Sequence, residues 1–133
     1  MVLRAAAGAT IDMKTPAAVT VSELSGGGTI EAPEVKGVSS ITVDSAGTPV
    51  AVSGKVVLAA SGTIHVLEMP VADALGDYDL FSAGELAFAD GGELADWRLD
   101  APPVQGARVR ALVLENQTIK LRIQARGMKV VIQ

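Results

Sequence analysis

The sequence predicts an all-β protein made of short strands. Runs rich in β-branched residues recur between Gly, Ser, Pro and Asp along the 133 residues, and helical periodicity is nearly absent. Only four residues are aromatic, so Val, Ile, Leu and Ala must fill a narrow interior. The apolar centres of the first six runs follow one another at intervals of 10, 9, 11, 11 and 12 residues, and they are Ile11, Val21, Ile30, Ile41, Val52 and Ile64.

Two architectures fit this spacing. Short strands at intervals of roughly 8–12 residues are typical of an antiparallel β-sandwich or barrel, and equally of a parallel β-solenoid with about 20 residues per coil. Three of the strands open on a glycine turn and then place Thr outward and Ile inward, at 8–11, 28–30 and 62–64. Because the strands are short and alike, we favour a short parallel β-solenoid of about three coils. The antiparallel β-sandwich or barrel is the alternative.

The chain is predicted to form one continuous domain with two regions. Residues 1–70 supply the solenoid coils, and residues 71–133 form a C-terminal cap region with a β-hairpin. In "DYDLF" (77–81), which opens the cap, strand alternation sends the apolar side chains to one side and the carboxylates to the other.

The hairpin is the clearest local signal of the last third. Two aliphatic runs flank "ENQ" (115–117), and a three-residue loop would place Leu114 opposite Thr118. One face is then aliphatic and the other basic, with Arg110 opposite Arg122, a like-charge pair that costs up to ~1 kcal/mol unless an acid intervenes. The acidic segment before the hairpin is the obvious source of that acid. The predicted basic interface consists of Arg108, Arg110, Lys120 and Arg122.

Charge is divided unevenly along the chain, whose net charge is −4. Residues 1–100 carry five Lys and Arg against fourteen Asp and Glu, whereas residues 101–133 carry six against one. An acidic domain with a basic end is a poor partner for nucleic acid, so the two regions are expected to neutralise each other, within or between molecules. The predicted acidic interface consists of Asp77, Asp79, Asp90 and Asp96.

Motifs in the second half follow a familiar order: Gly-x-Tyr-x-Leu-Phe, a Gly-rich stretch, one Trp, a hairpin, and an Arg-Gly pair before a final Val-Ile. This order resembles the C-terminal end of β-helical surface proteins of Gram-negative bacteria, the autotransporter-type passengers and adhesin-like repeat proteins. The resemblance implies a right-handed β-helix at the cell surface or outside the cell, although the first ten residues do not have the apolar run that a signal peptide needs. The matching residues are Gly76, Tyr78, Leu80, Phe81, Trp97, Leu112, Val113, Leu121, Ile123, Arg126, Gly127 and Ile132.

The resemblance also implies that the hairpin region closes one end of the solenoid. An open end exposes unpaired backbone groups and an apolar cross-section, which invites edge-to-edge association. Large side chains would fill the joint between the last coil and the hairpin. The predicted structural cap consists of Tyr78, Leu80, Phe81, Phe88 and Trp97.

No motif in the sequence predicts catalysis, a metal or a cofactor. The chain has no cysteine, and alternation places its one histidine, His65, on the outer side of a strand. The acids around 77–79 do not have the spacing of a Ca²⁺-binding loop, so we interpret them as solvated surface charge. No apolar run approaches the ~18 residues of a membrane span.

We therefore expect a non-enzymatic structural or adhesive solenoid segment of a bacterial surface or extracellular protein. Its expected partners are neighbouring coils or further copies of itself, joined head to tail through the acidic and basic regions. One alternative is a carbohydrate-binding or carbohydrate-processing module on the same scaffold, which would contact a surface glycan through Trp97 or Tyr78. The other is a β-sandwich assembly subunit of a phage or secretion apparatus.

Overall fold

The computed structural model describes residues 2–13, 18–69, 75–102 and 108–125. Over these residues the fold is all-β: eleven strands form one sheet that does not close on itself. Two 3-10 turns, Ala89–Gly91 and Leu94–Asp96, lie between the eighth and ninth strands. The strands are β1 (Val2–Ala5), β2 (Thr10–Asp12), β3 (Val19–Thr20), β4 (Glu23–Gly26), β5 (Thr29–Glu31), β6 (Glu34–Val43), β7 (Val50–Val66), β8 (Gly76–Phe88), β9 (Trp97–Asp100), β10 (Arg108–Glu115) and β11 (Thr118–Ala125).

The strands from β1 to β9 pair with one another in parallel, in three ladders. The first ladder runs from β1 through β4, the second half of β6 and the end of β7 to β9. The second joins β2, β5, the start of β7 and the middle of β8, and the third joins β3, the start of β6, the middle of β7 and the end of β8. The antiparallel sandwich or barrel alternative is therefore wrong for these strands.

The parallel register stacks apolar side chains in columns. Leu24 lies opposite Ile41, Ile41 lies opposite Ile64, and all three are fully buried. In the second ladder Ile30 lies opposite Val52, and both are buried as well. Burial of a side chain of this size stabilises the fold by about 1.5–3 kcal/mol, so the columns form the core. Five of the six apolar centres identified from the spacing are buried, and the sixth is half-buried.

The two longest strands change direction at glycines. The register of β7 against β8 shifts between Val52 and Lys55, and Gly54 lies in that interval. A Cβ atom on Gly54 would lie 2.1 Å from the carbonyl oxygen of Ala32, so no larger residue fits. A Cβ atom on Gly84 of β8 would lie 2.3 Å from a carbonyl oxygen of β7. These close approaches let β7 and β8 each contribute to more than one ladder.

The last two strands form the hairpin that the sequence predicts. β10 and β11 pair antiparallel, and β11 pairs antiparallel with the first half of β8. The turn consists of Asn116 and Gln117, whose φ angles of 49° and 63° are those of a two-residue hairpin turn. Glu115 lies opposite Thr118 as a result, and the expected three-residue loop is wrong.

This turn moves the register by one residue from the predicted one. Leu114 faces Ile119, and Arg110 faces Ile123 rather than Arg122. Residues that lie opposite each other on paired strands point to the same face, and successive residues alternate between faces. A shift of one residue therefore pairs each side chain with one that the predicted register placed on the other face. Arg110 and Arg122 therefore lie on opposite faces of the hairpin, so the expected like-charge pair and the single basic face are wrong.

The parallel ladders extend beyond the boundary predicted at residue 70. β8 and β9 both pair in parallel with β7, so among the described strands antiparallel pairing occurs only in the hairpin and between β11 and the first half of β8. Three residues of the resemblance, Arg126, Gly127 and Ile132, lie outside the described residues. Within the described ranges, no helix has the length and apolar character needed to cross a membrane.

Candidate functional site

The predicted cap residues separate into two groups. Leu80 and Phe81 are adjacent yet both fully buried, because the β8–β11 register shifts between Ile119 and Lys120. Such a bulge turns two neighbouring side chains toward the same side. Tyr78 joins them against β11, whereas Phe88 and Trp97 pair with β7 instead. All five residues belong to one buried cluster or pack against it, and Phe81 connects the two groups because it also pairs with Val50 of β7.

Trp97 is held inside the fold by a hydrogen bond and a glycine. Its side chain is 5% exposed, and its Nε1 donates to the carbonyl oxygen of Ala59 at 3.1 Å. The ring lies against Gly62, where a Cβ atom would be 2.7 Å from the ring carbon Cη2. A sugar-stacking ring must present an open face, and Trp97 does not.

The hairpin is joined to β8 by an ion-pair network. Arg122 donates from Nε and Nη2 to the two carboxylate oxygens of Asp77, each at 2.9 Å, and Nη2 lies 3.4 Å from Glu115. Glu115 also lies 3.4 Å from Lys120. The hydrogen bond from Arg122 lowers the pKa of Asp77, and the same bond raises the pKa of Arg122. An acid of the preceding segment thus pairs with one cation of the hairpin within the same chain.

The remaining residues of the two predicted interfaces either contact nearby groups of the same chain or lie on different elements of the fold. Arg110 donates to the carbonyl oxygen of Pro102, and Arg108 lies at the start of β10. Asp79 is the strand partner of Lys120. The last two predicted acids lie in the 3-10 turns: Asp90 has a φ of 51°, and Asp96 accepts a hydrogen bond from the backbone of Glu93. The structure brings only part of each predicted interface together.

A polar groove of about 530 Å³ crosses the outward face of the first ladder, over β4, β6, β7 and β9. Thr42 lies opposite His65 in the parallel register, and His65 lies opposite Asp100, so three successive strands place polar groups in one row. The lining also includes Glu23, Ser40, Val66, Leu67, Ala101 and Pro102.

Hydrogen bonds within the groove direct its chemistry. Thr42 Oγ1 donates to Glu23 Oε2 at 2.6 Å, so the lone pairs of the hydroxyl remain available to accept from a ligand. His65 Nδ1 lies 2.9 Å from Oδ2 of Asp100, which leaves Nε2 as the ring nitrogen for a ligand. The groove therefore presents mainly hydrogen-bond acceptors and is suited to binding a ligand rich in donors.

Sequence reasoning missed the groove, although it placed His65 correctly on an outer strand position. The groove residues are 19, 23 and 35 positions apart along the chain, from Glu23 to Thr42, His65 and Asp100. A sequence motif has fixed spacings, so residues at such irregular intervals are not recognised as one. The only usable signal would have been the register of each strand on the next, which depends on the lengths of the turns.

Comparisons of the chain with protein-family models, with curated proteins and with solved structures found no significant match. Within the described residues, no group of three or more His, Cys, Asp and Glu side chains is arranged to hold a metal ion. The function must therefore be argued from the ladders, the hairpin and the groove.

Proposed function

We propose that this chain is a non-enzymatic structural or adhesive segment of a bacterial surface or extracellular protein, built as a parallel β-solenoid. The observation that carries the proposal is the apolar column of the first ladder. Its successive members, Leu3, Leu24, Ile41, Ile64 and Leu99, advance along the chain by 21, 17, 23 and 35 residues. A chain that returns to the same column after each advance has the geometry of a coil, and each coil packs on its neighbours.

The hairpin supports a capping role at one end. It pairs with the first half of β8 and leaves β10 as the outer strand of the sheet. Ile119 and Leu121 of β11 are fully buried, so the hairpin covers apolar surface as well as strand-edge hydrogen-bonding groups. The contact between Arg122 and Asp77 holds the hairpin in this position.

The cell-surface setting rests on the resemblance of the second half to autotransporter-type and adhesin-like proteins. The alternatives have less support. Parallel pairing disfavours a sandwich-type assembly subunit, and the burial of Trp97 removes the sugar platform expected for a carbohydrate module. Self-association through the predicted charged regions is also disfavoured, because Arg122 is already paired with Asp77. The edge of β1, at the other end of the sheet, is the position at which another copy or further coils would add strands.

Single-molecule force spectroscopy tests the load-bearing role. The intact chain, held between two handle domains, is pulled from both ends. A stack of coils should unfold in steps, and an advance of 17–23 residues per coil corresponds to about 60–80 Å of extended chain. A single step that releases the whole chain at low force would contradict the proposal, since stacked coils have separate nearest-neighbour interfaces.

A further inference from the structure

We propose that the polar groove of the first ladder binds a linear alkylammonium group, supplied by a free polyamine or by a lysine side chain. This inference goes beyond the structural role and depends on the groove alone. Its two carboxylates lie at opposite ends. Glu23 is on β4 and Asp100 is on β9, three strand steps away. Glu23 is in register with Arg98, two residues before Asp100, so about 4.8 Å per strand step and 3.4 Å per residue place the two ends roughly 16 Å apart.

The polar groups of the groove favour a ligand that donates hydrogen bonds. The Thr42 hydroxyl gives its proton to Glu23, and Asp100 holds one nitrogen of His65, so the groups that remain are largely acceptors. No Lys or Arg is among the described residues that line the groove. An anionic ligand would meet two carboxylates and no cationic side chain in the described lining, whereas an ammonium group would form charge-assisted hydrogen bonds with them.

Glu23 is the stronger of the two anchors. Arg98 lies two residues before Asp100 on the same face of β9, which places the two residues about 7 Å apart and lets the cation offset part of the carboxylate charge. Glu23 shares its hydrogen bond with the neutral Thr42 hydroxyl instead. The nearest cation along the ladder, Arg4, is already bonded to Asp44 at 2.7 Å. The ammonium group is therefore expected at the Glu23 end.

The apolar wall of the groove fits a methylene chain. Leu67 is 62% exposed, and the half-buried Ala101 and Pro102 continue the wall beside it. The methylene stem of an alkylammonium group covers apolar surface while its charged end stays hydrated. A sugar ring would find no aromatic partner in the described lining. The combination of an aliphatic wall with an acceptor-rich row favours an alkylammonium over a glycan.

Titration of the full chain with spermidine at low ionic strength, followed by calorimetry and NMR, tests the proposal. His65 is the only histidine, so its ring resonances report on the groove directly. We expect saturable shifts of these resonances, and about fivefold weaker binding by Glu23→Gln, the change that a ~1 kcal/mol ion pair gives. Leu67→Ser changes an exposed side chain and should also weaken binding.

The matched control is Glu85→Gln, which removes the same charge from an exposed site on β8. It should leave spermidine affinity unchanged. A second titration with N-acetyl-lysine methylamide distinguishes the two sources: tighter binding of spermidine indicates a polyamine, and comparable binding indicates a lysine side chain. Equal losses in Glu23→Gln and Glu85→Gln, or no shift of the His65 resonances with either ligand, would overturn the proposal.

Discussion

Truncation of Ile41 to alanine should remove a large part of the stability of the fold. Ile41 is fully buried between Leu24 and Ile64 in the column of the first ladder. Ile→Ala changes in well-packed cores cost about 2–5 kcal/mol, because the neighbours collapse only partly into the cavity. For a domain of total stability ~5–15 kcal/mol, the loss should lower the urea midpoint markedly at an unchanged slope.

The assay is urea unfolding followed by the fluorescence of the only tryptophan. The matched control is Val109→Ala, since Val109 is 40% exposed on the outer strand β10 and should lose less than ~0.5 kcal/mol. Equal destabilisation by Ile41→Ala and Val109→Ala would refute the argument that the stacked column is the core.

Three further outcomes are expected. Arg122 lowers the pKa of Asp77, so the stabilisation by this pair is present above the unfolded value of about 4 and is lost as pH falls through the lower folded pKa. Thermal melts should thus show Asp77→Asn less stable than the parent at pH 6, with a gap that narrows at pH 2–3; a constant gap would contradict this. Gly62→Ala should cost at least ~1–3 kcal/mol in urea unfolding, since its Cβ atom would lie 2.3 Å from the carbonyl oxygen of Ser39; wild-type stability would exclude the close approach. Trp97, 5% exposed, should emit at short wavelength and resist acrylamide quenching; a red-shifted, readily quenched emission would place the ring in water.

The strand content and the core could be predicted from the sequence because both depend on local alternation. The spacing that singled out Ile30, Ile41 and Ile64 reflects one inward side chain for each pass of the chain, and all three are buried. The hairpin was predictable for the same reason. The register of the hairpin could not be predicted, because it depends on the left-handed backbone conformation of Asn116 and Gln117. The identities of these two residues do not determine that conformation.

The groove could not be predicted because it depends on contacts between strands distant in the chain. Thr42 and His65 become neighbours only through the register of β6 on β7, which shifts twice along the pairing. The sequence predicts that an acid of the preceding segment pairs with a basic residue of the hairpin, as Asp77 does with Arg122. The partner of Arg122 was set by the antiparallel addition of β11 to β8. Long-range register, rather than local pattern, decides both features.

Interstrand nuclear Overhauser effects test the parallel stacking most directly. In a uniformly labelled sample, the account predicts cross-peaks between backbone protons that link Leu24 to Ile41, Ile41 to Ile64 and Ile64 to Leu99, with the pattern of parallel strands. Cross-peaks that instead pair β6 with β7 in antiparallel order, as in a hairpin, would contradict the account.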